Sequence, residues 1–237
     1  MAKLLILLHI LVLSVSAHAQ SAQWPALRGP NFNGLVNAGD PPIQWSEDKN
    51  IRWKTAIPGN GHASPILWGD QLYVQTAVKV EEGGLFSDVV YQYHLLAIHR
   101  DTGKITWESV LRQALPVEDS HHRTASYASN TGITDGEHLY AYFGSQGLYC
   151  LDFDGAVVWE NDLGYMTTRN SFGEGSSPAI HGEFMIVNWN HEGASFIVAL
   201  NKRTGAELWR RCRDEPTSWS TPLIVDIAGK AQVIVSA

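Results

Sequence analysis

The segment L-L-A-I-H-R-D-T-G-K-I-T-W at residues 95–107 decides the fold, because the chain repeats it. It returns as I-V-A-L-N-K-R-T-G-A-E-L-W at 197–209 and, one residue shorter, as L-Y-C-L-D-F-D-G-A-V-V-W at 148–159. A glycine precedes the tryptophan by four positions each time, in the pairs Gly103/Trp107, Gly155/Trp159 and Gly205/Trp209. Trp53 extends the series: it precedes Trp107 by 54 residues, and the next two intervals are 52 and 50. Self-similarity at that period is what the blades of a β-propeller produce.

A second landmark alternates with the first. Pro65-I-L-W-Gly69-Asp70, Gly132-I-T-D-Gly136-Glu137 and Pro178-A-I-H-Gly182-Glu183 each place a glycine and an acid before an apolar stretch, at 72–74, 139–142 and 184–187. Each unit therefore reads as strand, glycine turn, strand, variable connection, strand, glycine turn, and a last strand bearing the tryptophan. The expected class is all-β: a propeller of four-stranded antiparallel blades, with about three and a half blades present. A β-sandwich would need three matched registers to coincide by chance.

Turn chemistry supports the reading, since glycine accepts the positive φ that tight hairpins demand. Asp154-Gly155 predicts a two-residue hairpin. Asp101-Thr102-Gly103-Lys104 and Arg203-Thr204-Gly205-Ala206 predict longer ones with a left-handed glycine, in which Asp101, Asp154 and Arg203 serve the turn. Each tryptophan of the series, Trp53, Trp107, Trp159 and Trp209, is expected to cover the neighbouring blade with its large apolar face.

Three regions follow. Lys3, an apolar run at 4–15 and Ala17-His18-Ala19 predict a cleaved signal peptide over 1–19, hence an exported, periplasmic or extracellular protein with no transmembrane anchor after cleavage. Residues 20–49, rich in Pro, Gly and Asn, predict an irregular arm crossing the surface. Residues 50–237 form the partial propeller, opening with a half-buried strand over 50–56. A fourth unit begins at Thr221-Pro222 and has two strands before the sequence stops, so the pattern predicts about half of a larger ring. Closure as four blades, with 50–56 joining the last, would still lack one strand. Only the first unit carries a long insertion, at 78–92, read as a surface extension.

Composition narrows the partners. The full chain has 17 basic and 24 acidic residues; without Lys3 the balance is 16 against 24. No basic cluster suited to nucleic acid or anionic lipid is present. Cys150 and Cys212 would meet an oxidising compartment, and the sequence leaves their pairing open.

The pattern at 97–107 and 199–209, with its shortened copy at 150–159, resembles the pyrroloquinoline-quinone (PQQ) repeat. Trp24-Pro25, Arg28-Gly29-Pro30, residues 50–54 and Ser64-Pro65 resemble the opening of secreted bacterial PQQ-like propellers. The resemblance implies a propeller fold and export. It also implies two possible roles: quinoprotein alcohol dehydrogenases that hold PQQ and calcium, or the propeller lipoprotein of the outer-membrane barrel assembly machinery, which binds proteins. The chain departs from both. The dehydrogenases stack PQQ on a disulfide of adjacent cysteines, whereas Cys150 and Cys212 lie 62 positions apart; the lipoprotein has a cysteine after its signal peptide, whereas Ala19 precedes Gln20.

Function is expected on the unrepeated loops that lead into each innermost strand, at 59–64, 120–131, 169–177 and 213–221. They carry His62, His121, His122, Tyr127, Asn130, Glu174, Asp214, Glu215 and Trp219. Imidazoles and carboxylates that converge there could bind a ligand or exchange protons, whereas scattered ones are solvated. Asn188-Trp189-Asn190-His191-Glu192 is read as a turn on the outer rim. The favoured reading is a non-catalytic exported scaffold binding a protein or polymeric ligand; the alternative is a quinoprotein-type, PQQ- and calcium-dependent oxidoreductase whose site is completed by blades missing from this chain.

Overall fold

The computed structural model describes residues 23–36, 39–80 and 89–236, so the expected signal peptide at 1–19 and most of the insertion at 78–92 lie outside it. Three four-stranded antiparallel sheets and one two-stranded sheet follow in chain order. The first blade is β1 (Ile66–Trp68), β2 (Gln71–Val80), β3 (Val90–His99) and β4 (Ile105–Ala114). The second is β5 (Ile133–Thr134), β6 (Leu139–Tyr142), β7 (Leu148–Leu151) and β8 (Val157–Asn161). The third is β9 (Ala179–His181), β10 (Phe184–Trp189), β11 (Phe196–Asn201) and β12 (Glu207–Cys212), and the fourth sheet is β13 (Leu223–Ile227) with β14 (Lys230–Ile234). In each full sheet, strands pair in the order of the sequence, giving the up-and-down blade that the repeat predicts.

The core lies between the blades. Successive side chains of a strand point to opposite faces. In β6, Leu139 and Ala141 join Tyr73, Tyr93 and Leu95 of the first blade, while Tyr140 and Tyr142 join Met185, Val187 and Val198 of the third. Strand β7 divides the same way, with Tyr149 and Leu151 on one side and Leu148 and Cys150 on the other. The runs L-Y-A-Y and L-Y-C-L are therefore buried throughout. A blade packed on both faces has no polar side to alternate with.

Three of the four repeat tryptophans lie over a glycine of the next blade. A Cβ on Gly103 would stand 2.5 Å from the Trp53 ring, one on Gly155 2.9 Å from Trp107, and one on Gly205 2.7 Å from Trp159. The indole N–H groups donate to the same turns: Trp53 to the Arg100 carbonyl at 2.7 Å, Trp107 to Phe153 and Trp159 to Lys202 at 3.0 Å. Large apolar faces are thus buried with their one polar atom satisfied.

Trp209 meets the next unit, as the series predicts, through apolar side chains. It occupies the repeat position on β12, but no glycine turn lies beneath its ring among the described residues. The fourth sheet has two strands, and Gly229 in the turn between them has nothing within 4 Å of an added Cβ. The glycine that caps the other indoles belongs to the turn between the third and fourth strands of a blade, which this sheet lacks. Trp209 is instead half-buried in a small cluster with Ile186, Ile197 and Ala199 of its own blade and Ile224 and Val235 of the last unit. It therefore contributes apolar contact to the next unit without the interlocking turn.

Four expectations are corrected. The turn at Asp154-Gly155 is not a two-residue hairpin: Asp152 N–H donates to Ala156 O at 3.0 Å, and the Asp152 carboxylate accepts the N–H groups of Asp154 and Ala156. One more residue lies in the turns from His99 to Lys104 and from Asn201 to Ala206, which accounts for the shorter middle repeat. Residues 51–57 form no strand, for they meet no ladder partner among the described residues, although Trp53 holds the repeat position.

The arm does not simply cross the surface. Trp24 pairs with Leu67 of β1, Pro25 O accepts from Thr134 of β5, and Ala26 is 1% exposed within the core between the second and third blades. Residues 39–50, by contrast, are exposed. Finally, Asn188 to His191 is no rim turn. Trp189 is 1% exposed and stacked on Phe196, and Asn190 and His191 are buried beneath loops that lead into the inner strands.

The tryptophan contact separates two kinds of glycine. Gly205 has φ +71° beneath Trp159, whereas Gly182 has φ +57° with nothing within 4 Å of an added Cβ. Gly182→Ala should cost about 1–2 kcal/mol, the left-handed penalty alone, and Gly205→Ala should cost roughly 1–3 kcal/mol more from overpacking. Urea unfolding midpoints measure the difference; equal losses would remove the interlocking role assigned to the indole.

Candidate functional site

In an up-and-down blade, alternate connections emerge at opposite ends of the sheet. The glycine turns occupy one end, and the loops entering β1, β5, β9 and β13 occupy the other. These loops are tied together by a hydroxyl belt. The Ser64 N–H donates to the Thr131 hydroxyl at 2.9 Å, Thr131 N–H to Ser177 at 2.9 Å, and Ser177 N–H to Thr221 at 3.0 Å. The belt fixes the loop bases and leaves their outer residues to shape a surface.

That surface holds a cavity of about 430 Å³, lined among others by His62, His122, Phe172, Glu174 and Trp219. Four of the nine loop residues singled out from sequence therefore converge, one from each of the four loops. His122 packs edge-on against Phe172, with ring centres 5.1 Å apart, and its Nδ1 is engaged by Thr124. Trp219 is 41% exposed, and its indole N–H donates to the Gly173 carbonyl at 2.7 Å. Phe172 adds a second aromatic wall that the sequence does not mark.

A second, smaller space adjoins the first at Gly173 and Glu174. Its volume is about 30 Å³, and Tyr93, Tyr127, Asn130, Gln146 and Glu118 also contribute to its lining. Tyr127 donates to Glu118 O, and Asn130 donates to Ser176 O at 2.7 Å. Both are structural supports of this recess. His121 donates from Nδ1 to the His122 carbonyl at 3.0 Å and meets the Tyr127 ring edge-on at 4.8 Å, so its imidazole is not among the residues lining the mouth cavity beside His122. Asp214 and Glu215 do not line either space; Glu215 offers its backbone carbonyl to Ser195.

Glu174 is the chemically distinctive member. Its Oε2 accepts the Ser145 N–H at 2.8 Å and lies where a Cβ on Gly144 would stand. Burial pushes its carboxyl up to about 7; hydrogen bonds from Ser145 pull it down, and the neighbouring Glu118 charge adds to the rise. No cationic side chain pairs with it among the described residues. Tyr93 is 1% exposed and Gln146 5% exposed, and Tyr93 Oη and Gln146 Oε1 both lack a hydrogen-bond partner. Nothing in the sequence marks these two: one sits in an apolar strand, the other in a short turn, G-S-Q-G at 144–147.

A further cluster lies at the opposite, glycine-turn end. Asp135, Glu137 and His138 bring their ligating atoms within 4.8 Å of one another. Asp135 is however paired with Lys202 Nζ at 2.7 Å. Burial alone would raise its carboxyl, but the Lys202 contact and the N–H groups of His138 and Glu137 outweigh burial and hold it near about 2. It is an inter-blade ion pair already satisfied by protein. Cys150, buried between blades, and Cys212, exposed on β12, are both free thiols.

Inner strands bound by a hydroxyl belt, outer strands bound by tryptophans and a polar, aromatic loop face define a β-propeller of the PQQ-repeat type. Residues 35–211 match the family described as outer membrane protein assembly factor BamB, and the chain belongs to that family. Similar solved structures include a europium-containing methanol dehydrogenase, at 14% identity over 68% of this chain and 26% of that one, with a TM-score of 0.48. BamB from Moraxella catarrhalis is similar at 20% identity over 58% of this chain and 41% of that one, TM-score 0.41. The quinohemoprotein alcohol dehydrogenase from Comamonas testosteroni matches at 17% identity over 65% and 21%, TM-score 0.43. The chain thus spans between about a fifth and two fifths of these structures. No curated protein matches it.

Glu174 has a measurable signature. Because its folded-state value is raised, protonation favours the folded chain, and this contribution is complete below the ordinary value of 4.5 and lost as pH rises through about 7. Glu174→Gln should therefore melt roughly 2–5 °C above the wild type at pH 8, with the gap closing towards pH 5. A gap independent of pH would refute the perturbed carboxyl.

Proposed function

We propose that the protein is an exported, non-catalytic propeller that presents its loop face to another protein or a polymeric ligand in the periplasm or outside the cell. The observation that carries this reading is the convergence of His62, His122, Glu174 and Trp219, with Phe172, around one open cavity. Residues from four separate loops share it, so its shape depends on the ring and not on any one blade. Exposed aromatic rings beside hydrogen-bonding side chains are the composition of a recognition surface. The family description, an outer-membrane-protein assembly factor, names a role exercised on other proteins. Export rests on the signal-peptide pattern at 1–19. No helix of the described residues is long and apolar enough to cross a membrane.

The residues present do not fit the PQQ platform of the dehydrogenase branch. That platform stacks the quinone on a disulfide of adjacent cysteines. Here both thiols are free, and neither lines the cavity.

A photo-crosslinking residue at Trp219 or His122 should trap a partner protein in the cell envelope, whereas one at the exposed Val158 of the outer strand β8 should not. Equal trapping at all three positions would defeat the loop-face assignment. Incubation of the purified full chain with PQQ and calcium should leave its absorbance additive and its melting temperature unchanged. Tight quinone binding with dye reduction by alcohols would replace the scaffold by an oxidoreductase.

A further inference from the structure

The recess beside the mouth cavity gathers a carboxylate and two polar atoms without partners, an amide oxygen that only accepts and a phenol hydroxyl that can accept or donate. Glu174 has a carboxylate without a cation, and Gln146 Oε1 and Tyr93 Oη have no partner, all lining one space of about 30 Å³. Buried acceptors of this kind cost about 1–3 kcal/mol each when left unmade. A group of matching hydrogen-bonding capacity would complete them. Glu118, which also lines the space, directs its carboxylate to Thr168 and adds negative field. Arg112, whose charge reaches Tyr93, lies 3.9 Å from Asp162 instead.

We propose that this recess receives the ammonium group of a lysine side chain from the partner protein. A primary ammonium has three donors and no acceptor, and Glu174, Gln146 and Tyr93 supply three acceptor groups to meet them. Size selects the same group. A space of about 30 Å³ holds one or two water-sized groups, which suits a compact ammonium better than a planar guanidinium with its wider five-donor fork. Val117, Tyr127 and Phe143 line the recess and provide apolar surface for the methylene stem. Val117 is 38% exposed, so part of the recess lining reaches the surface. The raised carboxyl of Glu174 gives the site a proton linkage: the arriving cation favours the carboxylate and displaces the proton that the free protein holds near neutrality.

The inference rests on the scaffold reading, and one titration separates the two. The full chain, labelled with ¹⁵N, is titrated at pH 7 with N-acetyl-lysine N-methylamide and with its norleucine and arginine counterparts. The lysine probe should move the Ser145 amide and bind at least 10-fold more tightly than either counterpart. Calorimetry in two buffers should show heat that scales with buffer ionisation, because protons are released. Glu174→Gln should weaken lysine binding at least 10-fold, and Gln146→Leu about 3-fold or more, with circular dichroism confirming that each is folded. If a variant does not fold, the lysine-against-norleucine ratio in the wild type decides. Equal binding of lysine and norleucine, preference for arginine, or full lysine binding by folded Glu174→Gln would each overturn the proposal. Should the lysine probe fail while crosslinking at Trp219 persists, the ammonium site falls and the scaffold stands. If both fail, both are wrong.

Discussion

The contact on which the structure depends is an indole laid over a glycine of the neighbouring blade. Trp53, Trp107 and Trp159 make it on Gly103, Gly155 and Gly205, each with its N–H donated into the same turn. The contact explains why both members of the pair are fixed while the residues between them vary. The glycine is needed twice over, for its positive φ and because a Cβ would strike the ring. It also explains why the repeat does not describe a unit that folds alone. A blade contributes the lid for its successor and takes its own lid from its predecessor, so burial is a property of neighbours. Trp209 packs on Ile224 and Val235 of the last unit, the same direction of contact from one blade to its successor.

A second coupling runs along the inner edges. Ser64, Thr131, Ser177 and Thr221 stand just before the inner strands, and each backbone N–H of the first three donates to the next hydroxyl. Gln75 and Asn188, on β2 and β10, add side-chain bonds to the loop carbonyls of Asn130 and Ser220. Apolar contact holds the blades from outside, and hydrogen bonds hold them from inside. The inner bonds are directional, so they fix the rotation of one blade against the next, which the tryptophans alone would leave looser. They also anchor the base of every loop that reaches the mouth cavity.

The architecture is legible in the sequence because it is carried by periodic constraints: a turn glycine, a tryptophan four residues later, and apolar strands between. The same period locates Trp209, whose contacts among the described residues are apolar side chains of its own blade and the last unit. What lacks a period is less legible. The belt has one, yet Ser-Pro, Thr-Gly and Thr-Pro look like ordinary loop endings, so the hydroxyls carry no visible signal. The arm reads as a surface segment because Pro and Gly signal irregular backbone and say nothing about burial, and Ala26 is buried all the same. At the mouth, residue type identifies His62, His122, Glu174 and Trp219. It cannot show that His121 turns to Tyr127 or that Asp214 and Glu215 stay outside the cavity, since neighbours in a loop share no fixed facing. Tyr93 and Gln146 are invisible: their significance is the lack of a partner, and that is a property of three dimensions alone.

The same logic distinguishes the two acidic clusters. Asp135 is buried between blades, yet Lys202, two backbone N–H groups and the Tyr140 hydroxyl complete it, so its charge is held and its carboxyl lies low. Glu174 is partly buried with hydrogen bonds from Ser145 alone, beside a second carboxylate, and its carboxyl rises. The loop that carries it is also held against local preference: Asn170 and Ser171 both have positive φ, at 53° and 51°, just ahead of Gly173 at 87°. Left-handed non-glycine residues cost of order 1–3 kcal/mol each and persist only where the surroundings impose them. The fold therefore gives the acid at the turn end a cation and leaves the one at the loop end with hydrogen bonds from Ser145. Among the described residues Glu174 has no cationic partner while Asp135 has Lys202, so the contrast between the two acids is one of supplied counter-charge and not of burial alone.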